Sequence, residues 1–332
     1  MWPIKKAWYR TYQAVFRVLV CFLDWSEPER LEGPGAIKRL PALIQSKGVE
    51  KVLIVTDKGL MSLHLLDPLF EKLTEAGIQY TLYDGTQPNP TFDNIEDARS
   101  LYVENNCEAI IAFGGGSSMD CAKVAAARVV RPNTPIPKMR GVLKVLRKLP
   151  PFFAVPTTAG TGSETTIAAV VTNPKTHEKY AINDPVLRPK YAVLDPELTV
   201  GLPPHITSTT GMDALTHAVE AYIGHSNTRD TEENAKRAVK MIFDNIETVY
   251  RDGKNIEARG EMLLAPTMRA LPLHAPMSAM FTPSRTTSAA CMASRTALPM
   301  RSSCHMCWNT TAKARISAWQ SLPRRQVSHS PA

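Results

Sequence analysis

Short apolar runs alternate with stretches of helical periodicity between residues 50 and 200, and few folds accommodate this rhythm. The apolar runs are predicted to be strands, at Lys51–Thr56, Gln79–Tyr83, Ala109–Phe113, Phe152–Val155 and Tyr191–Leu194. The stretches between them are predicted to be helices, at Leu60–Ala76, Asn94–Asn105 and Ser117–Val129. Strands that are apolar throughout are typical of a parallel sheet buried on both faces. The pattern therefore predicts an α/β fold with helices on both sides of a parallel sheet.

The pattern becomes purely helical beyond Gly201–Pro204. Further helices are predicted over Ile206–Ile223, over Thr231–Tyr250 and from near Ile256. Helical periodicity stops after Ala265, where prolines become frequent. The predicted organisation is an amphipathic helical segment (1–30), an α/β domain (31–200), the start of an all-helical domain (201–265) and an irregular, disordered tail (266–332).

The excess of basic over acidic residues lies entirely in the predicted tail. Residues 266–332 hold eight of the 39 Lys and Arg residues and none of the 31 Asp and Glu residues. Residues 1–265 are therefore neutral, and the formal charge of +8 belongs to the tail. The basic residues form no stripe on a predicted helix, so we expect no nucleic-acid partner.

The N-terminal segment and the cysteines indicate whether the chain contacts a membrane and in which compartment it is found. The segment is predicted to pack on the protein's own core, and a membrane-surface helix is the alternative. Arg17 interrupts its apolar stretch, so it falls short of the roughly 18 apolar residues that a membrane span needs. The six cysteines are scattered, which is typical of a reducing compartment and predicts a cytoplasmic protein.

Three consecutive glycines, Gly114 to Gly116, follow a predicted strand, and Ser117 opens the next predicted helix. Glycines allow backbone N–H groups to approach an anion closely, and the helix N-terminus adds a favourable dipole. Such a turn suits a pyrophosphate. It is not the G-x-G-x-x-G fingerprint, and a tight structural turn is the alternative.

A second loop, Pro156–Glu164, also follows a predicted strand and is rich in glycine and hydroxyl residues. Loops at the carboxyl ends of parallel strands face one crevice, where open α/β sheets bind ligands. Asp57 follows the first predicted strand, where a carboxylate binds ribose hydroxyls and repels a 2′-phosphate. Asp57 therefore favours NAD over NADP, with a plain helix N-cap as the alternative.

Asp213 and His217 lie four residues apart on a predicted helix, so their side chains leave one face of it. A carboxylate and an imidazole placed in this way can bind a divalent cation such as Fe²⁺ or Zn²⁺. A helix-stabilising pair is the alternative. A cation would also need ligands from elsewhere in the chain.

Taken together, these segments resemble the iron-containing (group III) alcohol dehydrogenase family. The resemblance runs from about Leu31 to Ala265, and its motifs are Thr56–Gly59, Pro88–Thr91, Gly114–Lys123, Pro156–Glu164, Asp195–Leu198 and Gly211–Glu220. It implies an α/β dinucleotide domain followed by a helical metal domain. It also implies hydride transfer between a primary alcohol or its aldehyde and NAD(P), assisted by Fe²⁺ or Zn²⁺. Such enzymes are often homo-oligomers.

The resemblance also implies roles for particular residues. The cofactor-binding residues by motif matching are Asp57 at the adenosine ribose, Gly115, Gly116 and Ser117 at the pyrophosphate, Thr157, Thr158 and Thr161 along the rest of the cofactor, and Lys179 near the nicotinamide ribose. Asp213 and His217 match the first two metal ligands. No catalytic residue is assigned, because the relay histidine of the family has no counterpart in a matching context.

The C-terminal sequence departs from the family. Two further ligand histidines are expected inside a pattern resembling HALAHHLGGMYGVPHG, which is missing here. Permitted codons for Phe281–Met300, read out of frame from the last base of Phe281, yield one sequence that contains this pattern. We hypothesise that a frameshift near Ala265 replaced the rest of the helical domain.

Three functions are therefore open. The chain is an alcohol dehydrogenase by family, impaired by loss of two metal-ligand histidines. Alternatively, it is an inactive dinucleotide-binding remnant, or an interaction protein acting through its basic tail. The Cys304–Cys307 pair of that tail is expected to be accidental, because no second pair lies at usable spacing.

Overall fold

The computed structural model describes residues 26–223 and 229–268. The predicted N-terminal amphipathic helix and most of the predicted tail lie outside these residues. Within the described residues, Glu29–Glu32 forms a strand that was not predicted. The third predicted helix continues past Ala265 and ends at Met268.

A parallel sheet of six strands forms the centre of the α/β region within residues 26–223. Strands β1 to β9 occupy Glu29–Glu32, Lys51–Val55, Gln79–Tyr83, Ala109–Gly114, Gly141–Val142, Phe152–Pro156, Ala168–Thr172, Lys179–Asn183 and Tyr191–Leu194. The sheet has the order β1-β9-β6-β4-β2-β3, and each neighbouring pair is parallel. The predicted parallel sheet is confirmed, and the five predicted strands match within one residue at each end.

The helices predicted within the described residues are present with one break, and two further helices, Ala36–Ser46 and Ile136–Met139, were not predicted. Helices α1 to α9 occupy Ala36–Ser46, Lys58–Ser62, Asp67–Glu75, Phe92–Glu104, Gly116–Val130, Ile136–Met139, Pro204–Ile223, Arg229–Arg251 and Ile256–Met268. The single helix predicted over Leu60–Ala76 is wrong, because α2 and α3 are separated there. His64 adopts a left-handed φ of 55° between them, and Pro68 lies in the first turn of α3, where proline is tolerated.

Two apolar cores cover the opposite faces of the six-stranded sheet. Leu53 and Val55 of β2 belong to one core, with α4 and α5, while Val52 and Ile54 belong to the other, with α1 and α3. Successive strand residues point to opposite faces, so this alternation shows that helices pack on both. The predicted helical cover of the sheet is confirmed.

The side of the sheet on which successive strands are added changes at β2. The strand that follows β2 pairs on one side of it, whereas β4 pairs on the other side and later strands continue outward from β4. The loops after β2 and β4 therefore diverge at the carboxyl edge of the sheet. In open α/β sheets, this crossover point is the place where a crevice for ligands forms.

A smaller sheet of β5, β8 and β7 packs beside the main sheet and was not predicted. β7 and β8 pair in an antiparallel manner, and β5 joins β8 over two residues. The β8 sequence KYAIN mixes polar and apolar residues without strict alternation, and the β7 sequence AAVVT is a short apolar run for which no strand was predicted.

The helices α7, α8 and α9 form a region with its own small core. Ala214, Ile242 and Met262, one from each helix, belong to that core. Large apolar side chains remain exposed on the same helices, among them Phe243 and Tyr250. Among the described helices, none combines the length and apolar character that crossing a membrane requires.

Candidate functional site

The glycine turn, Gly114–Ser117, joins β4 to α5 at the crossover crevice. Gly114 has a φ of 144°, and a Cβ there would lie 2.6 Å from Oγ of Ser118. Gly115 is the N-cap residue of α5, and Gly115, Gly116 and Ser117 are partly exposed. The first N–H groups of a 15-residue helix can therefore meet an anion, as a pyrophosphate site requires.

The loop after β6, Pro156–Glu164, packs directly against the glycine turn. The N–H of Thr157 donates a hydrogen bond to the carbonyl of Gly114 at 3.1 Å. A Cβ on Gly116 would lie 3.1 Å from the side chain of Thr161, and one on Gly115 would lie 3.4 Å from Thr158. The structure thus brings together six of the residues predicted to bind the cofactor. Two neighbouring strands present them at one edge of the sheet.

Asp57 lies at the N-terminus of α2, directly after β2. Its Oδ1 accepts a hydrogen bond from the N–H of Leu60 at 3.0 Å, so the carboxylate is an N-cap. One oxygen makes this bond, which leaves the second oxygen of a carboxylate with acceptor capacity. The N-cap interpretation is thus observed, and it is compatible with a contact between Asp57 and a ribose.

Ser117 and Lys179 are connected through Asn89. The N–H of Asn89 donates to Oγ of Ser117 at 3.3 Å, and Nζ of Lys179 donates to Oδ1 of Asn89 at 2.7 Å. Asn89 adopts a left-handed φ of 59°, which is uncommon for residues other than glycine. Sequence reasoning gave Asn89 no role, although its place between two prolines was a signal for an unusual turn.

Lys123 is a fully buried cation on α5, behind the loop after β6. Its Nζ donates to the carbonyls of Ser163 and Thr166 at 2.7 and 2.9 Å. Burial lowers the pKa of Lys123 to about 8, and the nearby carboxylate of Asp120 opposes that shift. Burial likewise raises the pKa of Asp120 to about 6, while Lys123 opposes the shift. Sequence reasoning singled out neither residue.

Asp213 and His217 lie on α7 of the helical region, as predicted. Nε2 of His217 is 3.5 Å from Oδ1 of Asp213, and its Nδ1 is 3.8 Å from Oε2 of Glu220. Both side chains are partly exposed. Over residues 26–223 and 229–268, no group of three or more His, Cys, Asp or Glu side chains is placed to bind a metal ion. The two predicted ligands therefore lie together on one helix, without a third side chain among the described residues to complete a metal site.

The sequence matches the two parts of one known family. Residues 28–196 match iron-containing alcohol dehydrogenase. Residues 207–280 match the C-terminal part of the Fe-containing alcohol dehydrogenase family. The second match extends to residue 280, which is fifteen residues past Ala265, the position near which we hypothesised the frameshift.

Individual relatives agree with this match. Choline dehydrogenase of Bacillus subtilis is 36% identical over 72% of this chain and 60% of its own length. The crystal structure of a 1,3-propanediol oxidoreductase aligns with a TM-score of 0.72 at 36% identity, covering 75% of this chain and 65% of that one. Sulfoacetaldehyde reductase from Bifidobacterium kashiwanohense, in complex with NAD⁺, aligns with a TM-score of 0.68 at 30% identity, covering 75% and 66%.

The chain spans about 60% of the length of the curated relatives that it matches. The aligned part includes the parallel sheet, the glycine turn and the loop after β6, and the family match continues through α7, α8 and α9. The chain belongs to the iron-containing alcohol dehydrogenase family.

Proposed function

We propose that this chain binds NAD in the crossover crevice of its parallel sheet, as an oxidoreductase of alcohols and aldehydes by descent. The observation that carries the proposal is the packing of the loop after β6 onto the glycine turn at the crossover point. A crevice lined by glycines and a helix N-terminus suits the diphosphate of a dinucleotide. The bound cofactor would supply the hydride acceptor.

The residues of the crevice divide into three roles under this proposal. Gly115, Gly116 and Ser117 present N–H groups to the pyrophosphate, and Thr157, Thr158 and Thr161 line the path of the cofactor beside them. Asp57 lies at the adenosine ribose and favours NAD over NADP because its charge repels a 2′-phosphate. Lys179, oriented by Asn89, lies towards the nicotinamide ribose.

The metal-assisted part of the reaction is proposed to be impaired. Asp213 and His217 can contribute two ligands, but the imidazole nitrogens lie near carboxylates of their own helix. A catalytic metal site usually needs three protein ligands or more. We therefore derive no step through a metal, and we favour a dinucleotide-binding protein with little alcohol dehydrogenase activity.

The tail supports the impairment without supporting a separate function. Its sequence lacks the Gly/His-rich pattern of the family, and one permitted choice of codons for Phe281–Met300 contains that pattern when read out of frame. We retain the frameshift as a hypothesis, and sequencing the coding DNA tests it. An intact frame whose codons cannot encode the pattern would refute it. No observation favours an interaction function of the basic tail.

The scattered cysteines favour a reducing compartment such as the cytoplasm. Cys107 and Cys121 are free and buried, as expected for cysteines outside a disulfide framework. Burial raises the pKa of the Cys121 thiol to about 12, so this cysteine is unreactive.

The proposed binding is tested by titrating the purified chain with NADH and following nicotinamide fluorescence. We expect saturable binding by the wild type and at least about tenfold weaker binding by Gly116→Val, because its side chain would enter the space beside Thr161. Gly201→Val is the matched control, since a Cβ at Gly201 meets nothing within 4 Å. Absence of binding by the folded wild type would refute the proposal.

The proposed impairment is tested by measuring oxidation of ethanol and butanol with NAD and added Fe²⁺ or Zn²⁺. We expect no measurable rate of alcohol oxidation by the wild type. We also expect Asp213→Asn to leave the NADH affinity within about twofold of the wild type, because α7 carries no predicted cofactor residue. Robust turnover with one metal ion per chain would contradict the impairment while leaving the family assignment intact.

A further inference from the structure

Lys123 lies seven residues after Gly116 on α5, which is about two helical turns from the start of the helix. It does not line the crevice, because it is fully buried behind the loop after β6. A buried ammonium is costly unless all its N–H groups are hydrogen-bonded. The partners of Lys123 therefore indicate what its burial maintains.

Those partners all belong to the chain segment that follows β6. Nζ lies within 3.1 Å of three backbone carbonyls and two hydroxyls, from Ser163, Thr166 and Ala168. An ammonium has three N–H groups, so one can serve each carbonyl. Three carbonyls between the end of the loop after β6 and the start of β7 thus point at one cation, which holds this part of the chain in a single conformation.

Asp120, one turn before Lys123 on α5, extends this attachment. Its Oδ1 accepts from Oγ of Ser163 at 3.2 Å, and its Oδ2 accepts from the N–H of Val170 at 3.0 Å. Oγ of Ser163 also accepts from Nζ of Lys123 at 3.1 Å, so this hydroxyl joins the two charged groups. Two residues of α5 thus bind Ser163 together, and each also binds the backbone of β7.

We propose that Lys123 and Asp120 are positioning residues that hold the loop after β6 against the glycine turn and thereby set the affinity for the dinucleotide. The start of the loop is attached to the same unit through Thr157 and Gly114. The Lys123 network attaches its end. The residues between the two attachments include Thr158 and Thr161, which face the glycines.

This inference rests on the proposed dinucleotide binding, and it gives a physical cause for the affinity of that binding. A loop that is already ordered loses little conformational entropy when a ligand binds. Without Lys123, the three carbonyls would lose their charged donor, and the Ser163 carbonyl would keep only weaker bonds from Thr166, such as that from its N–H at 3.3 Å. The loop would then open to recover hydrogen bonds with water. Binding would then have to restore the ordered loop.

The test compares Lys123→Met and Ser163→Ala with the wild type. For each protein, the Kd of NADH is measured by fluorescence, and amide hydrogen exchange over residues 156–166 is measured without ligand. We expect Lys123→Met to raise the Kd about tenfold or more and Ser163→Ala about threefold, with faster exchange in this segment. Ser163→Ala keeps the carbonyls and the ammonium, so it also serves if Lys123→Met does not fold.

Arg128→Met is the matched control. Arg128 is a buried cation on the same helix, but it binds Glu96 and the carbonyls of Arg131 and Pro132, away from the loop after β6. A general effect of losing a buried cation would change its Kd as well. We expect its Kd and its exchange over 156–166 to stay within about twofold of the wild type.

Two outcomes would overturn the inference. One is an unchanged Kd and unchanged exchange over 156–166 in folded Lys123→Met or in Ser163→Ala. The other is an equal loss of affinity in Arg128→Met. Failure of the wild type to bind NADH would instead refute the proposed function, and faster exchange in the ligand-free variants would then still show the attachment of the loop.

Discussion

The loops after β4 and β6 contact each other in the α/β region, whereas Asp213 and His217 lie partly exposed on α7 of the helical region. The first site uses mostly backbone groups from two adjacent strands, so a single sheet edge assembles it. A metal site uses side chains that several elements must bring together. The described residues can therefore assemble the first candidate site while they do not complete the second.

The two regions also differ in how they bury apolar side chains. Phe153 of β6 is fully buried and stacks on Tyr191, with ring centroids 4.7 Å apart. Phe243 of α8 is 65% exposed. A large apolar side chain left in water points to a surface that the described residues do not cover. Tyr250, which is 51% exposed on the same helix, extends this contrast.

The largest expected effect tests this difference in packing. Phe153→Ala should lower the free energy of unfolding by about 3–5 kcal/mol, because it leaves a cavity in a dense core. Phe243→Ala should change it by less than about 0.5 kcal/mol. Denaturant unfolding measures both values. A cost of several kcal/mol at Phe243 would mean that its side chain is covered, and the contrast between the regions would fail.

A pair of glycines tests how rigid each region is. Gly114→Ala should cost about 2–4 kcal/mol, because its φ of 144° is strained for alanine and the Cβ would lie 2.6 Å from Oγ of Ser118. At Gly211 of α7, a Cβ would approach the ends of two flexible side chains, Cδ1 of Ile246 at 2.9 Å and Cε of Met262 at 3.0 Å.

Gly211→Ala should therefore be nearly neutral. Alanine favours a helix over glycine by about 0.8–1 kcal/mol, which offsets the small shifts required of Ile246 and Met262. Thermal unfolding of the two variants measures the difference. Equal destabilisation by Gly114→Ala and Gly211→Ala would show that the helical region is packed as tightly as the glycine turn.

The smallest expected effect is a pH dependence that belongs to the α/β region alone. The pKa of Lys123 is lowered from 10.5 to about 8, so between these values the unfolded state binds more protons than the folded state. The free energy of unfolding of the wild type should rise relative to Lys123→Met as the pH increases through this window. We expect roughly 1–2 kcal/mol between about pH 7.5 and about pH 9.5.

The same comparison at different pH values contains its own check. Groups that do not interact with Lys123 titrate alike in both proteins and cancel in the difference. Asp120 does not cancel, because Lys123 lowers its pKa, but that pKa is about 6 in the wild type and lies below this window. A difference that falls with increasing pH would mean that the charged form of Lys123 is favoured by folding. That result would contradict the dominance of burial over its partners.

The fold of the α/β region was predictable where one physical term dominates. β4 and β6 are buried at each position, so apolar composition alone identifies them. β1 has the sequence ERLE and lies at an edge of the sheet, so its pairing with β9 gives no local signal. The break between α2 and α3 depends on a single left-handed residue, His64.

The candidate site was predictable to the extent that it depends on glycines and helix termini. The glycine turn and the loop after β6 were identified by residue types that few other structures require. The links made by Asn89 and Lys123 were not, because they join residues far apart in the sequence. A lysine within a helix is ordinarily a solvated residue, and only tertiary packing shows that Lys123 is buried.

The pairing of β1 with β9 determines when this protein can finish folding during its synthesis. β1 leaves the ribosome first, and its only strand partner in the described sheet is the last strand of that sheet. Asp195, which follows β9, accepts hydrogen bonds from Gly35 and Ile37 across about 160 residues of sequence. At translation rates of about 5–20 residues per second, β1 waits roughly 8–30 seconds for that partner. The nascent chain therefore carries an unpaired β1 while about 160 further residues are synthesised, and a chaperone that covers this strand would raise the yield of folded protein.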